Sequence, residues 1–220
     1  MTKTVIKKST LKSQVYEYLK EDIIVGRIKP GERLIEEKVA EELQVSRSPI
    51  REAVRMLEKD GLLSVNKSGG VTVVEPSIED FKYLYECRVE MESLAAYYAA
   101  ERRSAEQLEE LRLQILKMEK VTSDNYLKNV HDVNVSFHES IVHASGNPFL
   151  ISMTSQLRGV NSFYRKAILE FDPKRMVDAS AEHQQIFQAI VDQDSLSARK
   201  LMKQHIEDDY TLFMKSAMQK

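Results

Sequence analysis

Apolar residues recur at intervals of three and four through most of the chain, which is the spacing of helices that bury one face. In the first quarter they predict three short helices. Lys29-Pro30-Gly31 separates the first helix from the second, and Val45-Ser46 separates the second from the third. The apolar positions that define these helices are Val15, Tyr18, Leu19 and Ile23, then Ile35, Val39, Ala40 and Leu43, then Ile50, Ala53, Val54 and Leu57.

After the third helix, the helical spacing gives way to two short runs of apolar and β-branched residues. These runs, 62–65 and 71–74, flank a segment that contains Gly69 and Gly70. Glycine takes the positive φ that tight hairpin turns require, so two antiparallel strands are predicted. Three short helices followed by a hairpin indicate a winged helix-turn-helix. Pro76 ends this unit, and residues 1–76 are the predicted first domain.

From Ser77 onward the periodic segments are helical. Ser77 with Asp80, and Ser104 with Gln107, have the spacing of residues that cap helix N-termini. The sequence therefore predicts a mainly α protein. Its winged helix-turn-helix with a two-stranded wing precedes an all-α bundle of six or seven helices at residues 77–220. The breaks between the later helices are expected at 146–148, 172–173 and 192–195.

Composition narrows the class of protein further. The 220 residues are 42% hydrophobic and 30% charged, which is typical of a globular chain of one or two domains. Because Cys87 is the single cysteine, no internal disulfide can form. No apolar run approaches the roughly 20 residues that span a bilayer, and the basic N-terminus is not followed by an apolar stretch. We therefore expect a cytoplasmic protein with no membrane partner.

Three arginines follow one side of the third predicted helix. Arg47, Arg51 and Arg55 are four residues apart, and the apolar residues of the helix lie on its other side. Arginine suits phosphates and bidentate contact with guanine, so the spacing favours a recognition helix that reads duplex DNA. Ser46 and Ser48 stand at the helix start, where hydroxyls and free N–H groups can hold a phosphate. The alternative is a solvated face with arginine–glutamate pairs; the net charge of −2 does not decide between the two.

The helical part contains histidines at core-facing positions of three different helices. Asn134 and His138 are four residues apart on one helix face, while His183 and His205 lie on two later helices. One imidazole from each of three helices can converge on one divalent ion. The alternative is that each is an ordinary core histidine satisfied by its neighbours. Spacing alone leaves both interpretations open.

The segment PGERLIEEKVAEELQVSRSPIREAVRMLEKDGLL resembles the DNA-binding domain of the GntR family of bacterial transcription regulators. The resemblance extends over about residues 11–75. It implies that Arg47 and Arg51 reach guanines and that Ser46 and Ser48 hold the DNA backbone or base edges. It also implies that the wing approaches the minor groove.

Two further residues of the DNA-binding domain are assigned by the same resemblance. Gly69 would allow the wing to come close to the minor groove. A basic residue that the family often carries on the second helix falls near Glu37, which is acidic here, so we expect the adjacent Lys38 to replace it.

Three segments of the helical part resemble the FCD effector domain of the FadR-type branch of that family: CRVEMESLAAYYAAER, NVSFHESIVHASGNPFL and EHQQIFQAIVDQDSLSARKLMKQH. Many such domains bind a divalent metal through an aspartate and three histidines. The resemblance places the histidines at His138, His183 and His205, and Asn134 occupies the aspartate position. The implied ion is Zn²⁺, with Ni²⁺ or Mn²⁺ as alternatives.

The resemblance also implies an effector cavity in the helical domain. Arg88 matches an arginine that often faces the cavity, although an intrahelical ion pair with Glu92 is the alternative interpretation. Arg158 and Asn161 are further candidates for the lining of this cavity.

The residues and the resemblance together predict a ligand-responsive bacterial transcription regulator. We expect a repressor that binds a palindromic operator as a homodimer, with a small organic acid as effector on a metal-assisted site. One alternative is a DNA-binding regulator that senses the metal itself, and another is a metal-dependent enzyme that uses the three histidines. The sequence lacks HExxH, a nucleophile elbow and a phosphate-binding loop, which argues against the enzyme.

Overall fold

The computed structural model describes residues 10–75, 77–123, 130–172 and 174–218. Two compact units divide the chain: the first comprises Met1–Pro76 and Arg158–Val160, and the second comprises Ser77–Leu157 and Asn161–Lys220. The first unit contains α1 (Leu11–Val25), β1 (Arg33–Leu34), α2 (Glu36–Glu42), α3 (Arg47–Lys59), β2 (Leu63–Val65) and β3 (Val71–Val73). The remaining helices are α4 (Ile78–Arg102), α5 (Ala105–Ser123), α6 (Val130–Ala144), α7 (Pro148–Phe171), α8 (Arg175–Val191) and α9 (Ser195–Ala217).

The three helices of the first unit pack around a small apolar core. Helix α1 packs against α3, and Leu19 and Ile23 of α1 and Ile50 and Leu57 of α3 are all buried. The first helix begins four residues earlier than the apolar pattern predicts, because the Thr10 hydroxyl accepts a hydrogen bond from the first turn. The first helix is thus positioned by its N-terminal cap and by its packing against α3.

The sheet has three strands in the order β1-β3-β2, and both pairs are antiparallel. The predicted two-stranded wing corresponds to β2 and β3, and β1 adds a third strand through Leu34 opposite Val71. A strand of two residues is too short to produce an alternating pattern, so β1 was not predicted. The turn uses Gly69 at φ +81°. The Asn66 side chain accepts hydrogen bonds from the backbone N–H groups of Ser68 and Gly70.

The second unit is an all-α bundle, and its described part contains six helices, within the predicted range. The predicted caps form. The Ser77 hydroxyl accepts from the Asp80 N–H, and Asp80 returns the bond to the Ser77 N–H. Ser104 and Gln107 bond each other in the same reciprocal way. The central helix α4 packs against α6, α8 and α9, and α8 packs against α9. This arrangement brings the inner faces of α6, α8 and α9 together beside α4.

Two kinds of residue make close packing on α4 possible. Small residues at its C-terminal half let neighbouring helices approach, and an aromatic cluster fills the space at its N-terminal half. The small residues are Ala95, Ala96, Ala99 and Ala100, and the aromatic cluster is Phe81, Tyr85, Tyr164, Tyr210 and Phe213.

Among the described residues, no helix is long and apolar enough to cross a membrane.

Candidate functional site

The three predicted histidines meet in the interior of the helical unit. His138 comes from α6, His183 from α8 and His205 from α9, and their side chains are at most 9% exposed. The Nε2 atom of His205 lies 3.1 Å from Nε2 of His183 and 3.2 Å from Nε2 of His138. The three imidazoles offer ligand atoms that all lie within 4.8 Å of one another. The convergence predicted from three separate helices is therefore present.

Two carboxylates fix which nitrogen carries the proton in the rings of His138 and His205. His138 Nδ1 lies 2.6 Å from Glu92 Oε2, and His205 Nδ1 lies 2.5 Å from Glu182 Oε2. An ionised carboxylate only accepts hydrogen bonds, so each Nδ1–H must be the donor. In the neutral rings, the Nε2 atoms of His138 and His205 then carry lone pairs that point at each other. Carboxylates placed behind metal-binding histidines orient the rings in this way.

The spacing of the Nε2 atoms fits a shared cation. Two nitrogen lone pairs facing each other at 3.2 Å repel unless a positive charge lies between them. With metal–nitrogen bonds of roughly 2.0–2.1 Å, ligand atoms on one ion are about 3.4 Å apart in a tetrahedral site and about 3.0 Å apart in an octahedral one. The observed 3.1 and 3.2 Å lie between these values. The donor set and its spacing therefore suit a divalent transition metal.

Burial favours the neutral form of His138 and His183, which is the form that binds metals. Removal from water lowers the pKa of His138 from 6.5 to about 4, although the Glu92 carboxylate acts in the opposite direction. Burial, and then the neighbouring His205, also lower the pKa of His183 well below its ordinary value. His183 differs from the other two because its Nδ1 is buried without a hydrogen-bond partner in the described part of the chain.

Asn134 is 2% exposed on α6, one helical turn before His138. That position puts its amide on the same helix face as the His138 imidazole. An amide oxygen is a neutral ligand, so it brings no charge to the centre. Its part in metal binding stays a prediction.

Arg88 forms the intrahelical ion pair that was one of its two interpretations, and its place in an effector cavity stays a prediction. Its Nε donates to Glu92 Oε1 at 2.6 Å, which is the intrahelical pair. The Arg88 guanidinium is 2% exposed, and its Nη1 has no partner among the described residues. Burial acts to raise the pKa of the Glu92 carboxyl, but the Arg88 guanidinium and then His138 hold it well below its ordinary value. Glu92 therefore joins Arg88 to the histidine cluster as an ionised bridge.

A second buried charge network was not predicted. Asp209 of α9 is fully buried and accepts hydrogen bonds from Arg165 of α7 and from Arg175 of α8, the latter at 2.8 Å. Arg175 also pairs with Glu182 at 2.6 Å, and Glu182 in turn holds the His205 ring. Asp209 follows His205 by one helical turn on α9. A carboxylate at a core-facing position is therefore the signal in the sequence that could have indicated this network.

The other two cavity candidates lie on α7. Arg158 and Asn161 are both partly buried there, three residues apart. The Asn161 Oδ1 atom is buried without a hydrogen-bond partner in the described residues. Their assignment to an effector cavity stays a prediction.

In the first unit, the arginines of α3 are exposed but engaged by acids of α2. Arg47 Nη2 lies 2.9 Å from Glu37 Oε1, and Arg51 Nε lies 3.1 Å from Glu36 Oε2. This is the ion-paired alternative for the arginine face in the absence of DNA. The side chains of Arg47 and Arg51 remain 49% and 57% exposed, so DNA phosphates can reach them.

The remaining DNA-binding candidates are also on the surface of the first unit. Ser46 occupies the N-cap position of α3 with its hydroxyl not used as a cap, and Ser48 is exposed in the first turn. Lys38 is exposed on α2. Gly69 lies at the tip of the β2–β3 hairpin, and a side chain there would be strained by the positive φ. Their contacts with DNA stay predictions.

Comparison with known protein families identifies both units. The model described as bacterial regulatory proteins, gntR family, matches residues 11–73, and the model described as FCD domain matches residues 83–208. The chain is 32% identical to the HTH-type transcriptional regulator YdhC of Bacillus subtilis (strain 168), described as uncharacterized, over 89% of this chain and 88% of that protein. It is also 32% identical to the HTH-type transcriptional regulator McbR of Escherichia coli (strain K12) over 69% of each chain.

A solved structure shares the whole architecture. The E. coli McbR/YncC structure superimposes with a TM-score of 0.80 at 25% identity, covering 94% of this chain and 99% of that chain. A helix-turn-helix unit followed by an FCD domain defines a ligand-responsive transcription regulator, which is not an enzyme. The chain belongs to the GntR family of bacterial transcription regulators and carries an FCD effector domain.

Proposed function

We propose that this regulator is a repressor whose helical domain holds a divalent metal, and that a small organic acid bound on this metal controls operator binding. The observation that carries the proposal is the convergence of three buried Nε2 atoms at 3.1 and 3.2 Å. His138, His183 and His205 would supply the metal ligands, with Asn134 as the fourth side chain. Zn²⁺ suits this nitrogen-rich set, and Ni²⁺ or Mn²⁺ are the alternatives.

The metal and Arg88 would act on the effector as a positively charged pair. A bound metal supplies a Lewis-acidic cation for one carboxylate. The Arg88 Nη1 is a buried donor without a partner in the described residues, so it can bond an anion without losing a contact in the protein. Arg158 and Asn161 complete the proposed lining of the cavity.

The proposed division of labour follows the two units. Residues 1–76 would bind DNA through Arg47, Arg51, Ser46 and Ser48, with Lys38 and Gly69 at the edges of the contact. Residues 77–220 would bind the effector and form a homodimer. One recognition helix covers a few base pairs, so two copies related by two-fold symmetry would read a palindromic operator. Because its partner is operator DNA, the protein would act in the cytoplasm.

Metal analysis combined with operator binding tests the proposal. Purified protein should contain about one divalent ion per chain, and a chelator should lower its thermal stability. An organic acid should then change operator affinity in the metal-loaded protein and have no such effect after chelation. If the metal changes DNA binding by itself and no acid adds to it, the protein senses the metal. If no divalent ion binds, the proposed centre is wrong.

A further inference from the structure

One carboxylate oxygen of α2 lies between the two arginines of α3 that we assign to DNA contact. Glu36 Oε2 accepts a hydrogen bond from Arg51 Nε at 3.1 Å, and it lies 3.9 Å from Arg47 Nη2. Arg47 and Arg51 are four residues apart in α3, so they share one side of the helix. A single oxygen thus constrains two long side chains that otherwise rotate about several bonds.

The nitrogen that Glu36 engages on Arg51 leaves the end of the guanidinium free. Within the described residues, Arg51 donates its hydrogen bond through Nε, and none of these residues accepts from Nη1 or Nη2. A guanidinium can donate from these two nitrogens to O6 and N7 of one guanine in the major groove. The contact with Glu36 therefore uses the side of the guanidinium that such a base contact does not need.

Glu36 is more enclosed than the acid that follows it. The Glu36 side chain is 20% exposed, whereas the Glu37 side chain is 55% exposed. Glu37 lies 2.9 Å from Arg47 Nη2, so it occupies a nitrogen that a base or a phosphate would need. The two acids meet the arginines differently, because Glu37 competes with DNA while Glu36 can keep its contact when Arg51 binds a base.

Glu36 also has an ordinary structural role, since both acids lie in the first turn of α2. A negative charge there is stabilised by the helix dipole, and α2 has no side-chain hydrogen bond at its N-cap. This role affects the stability of the fold and changes the binding of all DNA sequences by the same factor. An effect on the choice of base is therefore the sign that Glu36 acts through Arg51.

The physical benefit of the contact is that Arg51 is ordered before DNA arrives. An arginine side chain loses much of its rotamer freedom when it binds, and a contact that fixes it beforehand removes part of that loss. An exposed ion pair adds little to folding stability. The main consequence of the Glu36–Arg51 contact is therefore the position of the guanidinium.

We propose that Glu36 is a positioning residue for sequence recognition, which holds Arg51 through Nε and presents Nη1 and Nη2 to one guanine of the operator. Its negative charge weakens the attraction of α3 for DNA of any sequence, and its geometry favours the operator over other DNA. The inference rests on the proposed function, because Arg51 must contact a base for Glu36 to position it.

The test measures discrimination between bases separately from total affinity. The probe is a duplex that the wild-type protein enriches from a random-sequence pool, and the guanine of interest is the one whose preference disappears in Arg51→Ala. Replacing this guanine by 7-deazaguanine removes the N7 acceptor and leaves the O6 acceptor in place. Fluorescence anisotropy of the full-length protein gives the ratio of the affinities for the guanine and 7-deazaguanine duplexes.

Glu36→Ala should lower this ratio by about threefold or more, which corresponds to one hydrogen bond of modest strength. Its affinity for a scrambled duplex should not fall, because the variant removes a negative charge from a surface that faces phosphates. Glu37→Ala is the matched control, since it removes the same charge from the adjacent position. The ratio in Glu37→Ala should not fall.

A double variant shows whether Glu36 acts through Arg51. Glu36→Ala combined with Arg51→Ala should have the ratio of Arg51→Ala alone, because the side chain that Glu36 positions is absent. A further fall in the double variant would contradict the proposed route through Arg51.

The remaining outcomes separate this inference from the proposed function. A wild-type ratio in Glu36→Ala, or an equal fall in Glu37→Ala, overturns the inference and leaves base contact by Arg51 standing. If no guanine loses its preference in Arg51→Ala, the proposed base contact is wrong and the inference fails with it. If Glu36→Ala does not fold, Glu36→Asp decides, because it keeps the charge but withdraws the oxygen from Arg51. A wild-type ratio in Glu36→Asp would then overturn the positioning role.

Discussion

Glu37 Oε1 lies 2.9 Å from Arg47 Nη2, so an acid of α2 holds an arginine that we assign to DNA contact. DNA phosphates must displace this acid before they pair with the arginine. We expect Glu37→Gln to raise operator affinity about two- to fivefold, the range of an exposed ion pair. Fluorescence anisotropy at low and high salt measures the change, which should shrink as salt screens the charges.

A matched control separates the Glu37–Arg47 pair from the total charge of the domain. Glu58→Gln removes the same charge from the exposed side of α3, and Glu58 has no ion pair with Arg47 among the described contacts. Its affinity should stay close to that of the wild type. Equal gains in the two variants would show that net charge, and not this pair, sets the affinity.

Arg51 is the second arginine that is placed for base contact, and its Nε lies 3.1 Å from Glu36. Arg51→Ala should cost about 1–3 kcal/mol at its base position and relax specificity there. Lys59→Ala removes one positive charge from the far end of α3 and should weaken all sequences by the same small factor. The measurement is the ratio of operator to non-specific affinity. Wild-type ratios for both Arg51→Ala and Arg47→Ala would mean that α3 does not read the operator.

His183 is fully buried, and its Nε2 lies 3.1 Å from His205 Nε2. We expect His183→Gln to lose the stoichiometric metal and the stabilisation that the metal gives, because two histidines bind the ion less tightly than three. His143, which is exposed on α6, provides the control. His143→Gln should keep wild-type metal content by elemental analysis. Full metal content in His183→Gln would remove His183 from the centre.

The metal-free protein should lose stability as the pH falls. Burial lowers the pKa of His138 from 6.5 to about 4, so the unfolded chain binds a proton at this residue before the folded chain does. The contribution of His138 to the free energy of unfolding is therefore fully present above its unfolded-state pKa of 6.5. It is lost as the pH falls towards 4, which lowers the free energy of unfolding by up to about 3 kcal/mol.

Urea unfolding of chelator-treated protein at several pH values in that window measures this slope. His138→Asn removes the titrating imidazole, so its stability should depend less steeply on pH over the same interval. Identical slopes for the variant and the wild type would show that His138 is not the group that responds.

The sequence was sufficient for most of the fold because the relevant signals are local. Ser77 with Asp80 and the apolar faces of the helices are read within a few residues, and the structure forms the predicted elements at these places. The strand Arg33–Leu34 was not predicted, because it is two residues long and pairs with β3, which is distant in the sequence.

The candidate site was predictable only where residue type is itself a signal. Histidines at core-facing positions of three helices indicated that their imidazoles could converge on one site. The partners of Asp209 could not be foreseen, because Arg165 and Arg175 come from two other helices and no spacing rule relates them to α9. Likewise, the sequence could not show which Arg88 nitrogen would lack a partner. That depends on Glu92, whose carboxylate accepts from Arg88 Nε and also contacts His138 Nδ1.

The last prediction concerns coupling between the two units. Effector binding that favours one packing of the helical domain should change operator affinity, and a coupling of about 1–3 kcal/mol corresponds to roughly 5–150-fold. Linkage requires that operator DNA change effector affinity by the same factor. The measurement is an effector titration of metal-loaded protein with and without operator duplex, with a scrambled duplex as control. Equal effector affinities in all three titrations would mean that the helical domain does not sense an effector for this DNA site, and its proposed role would reduce to dimerisation.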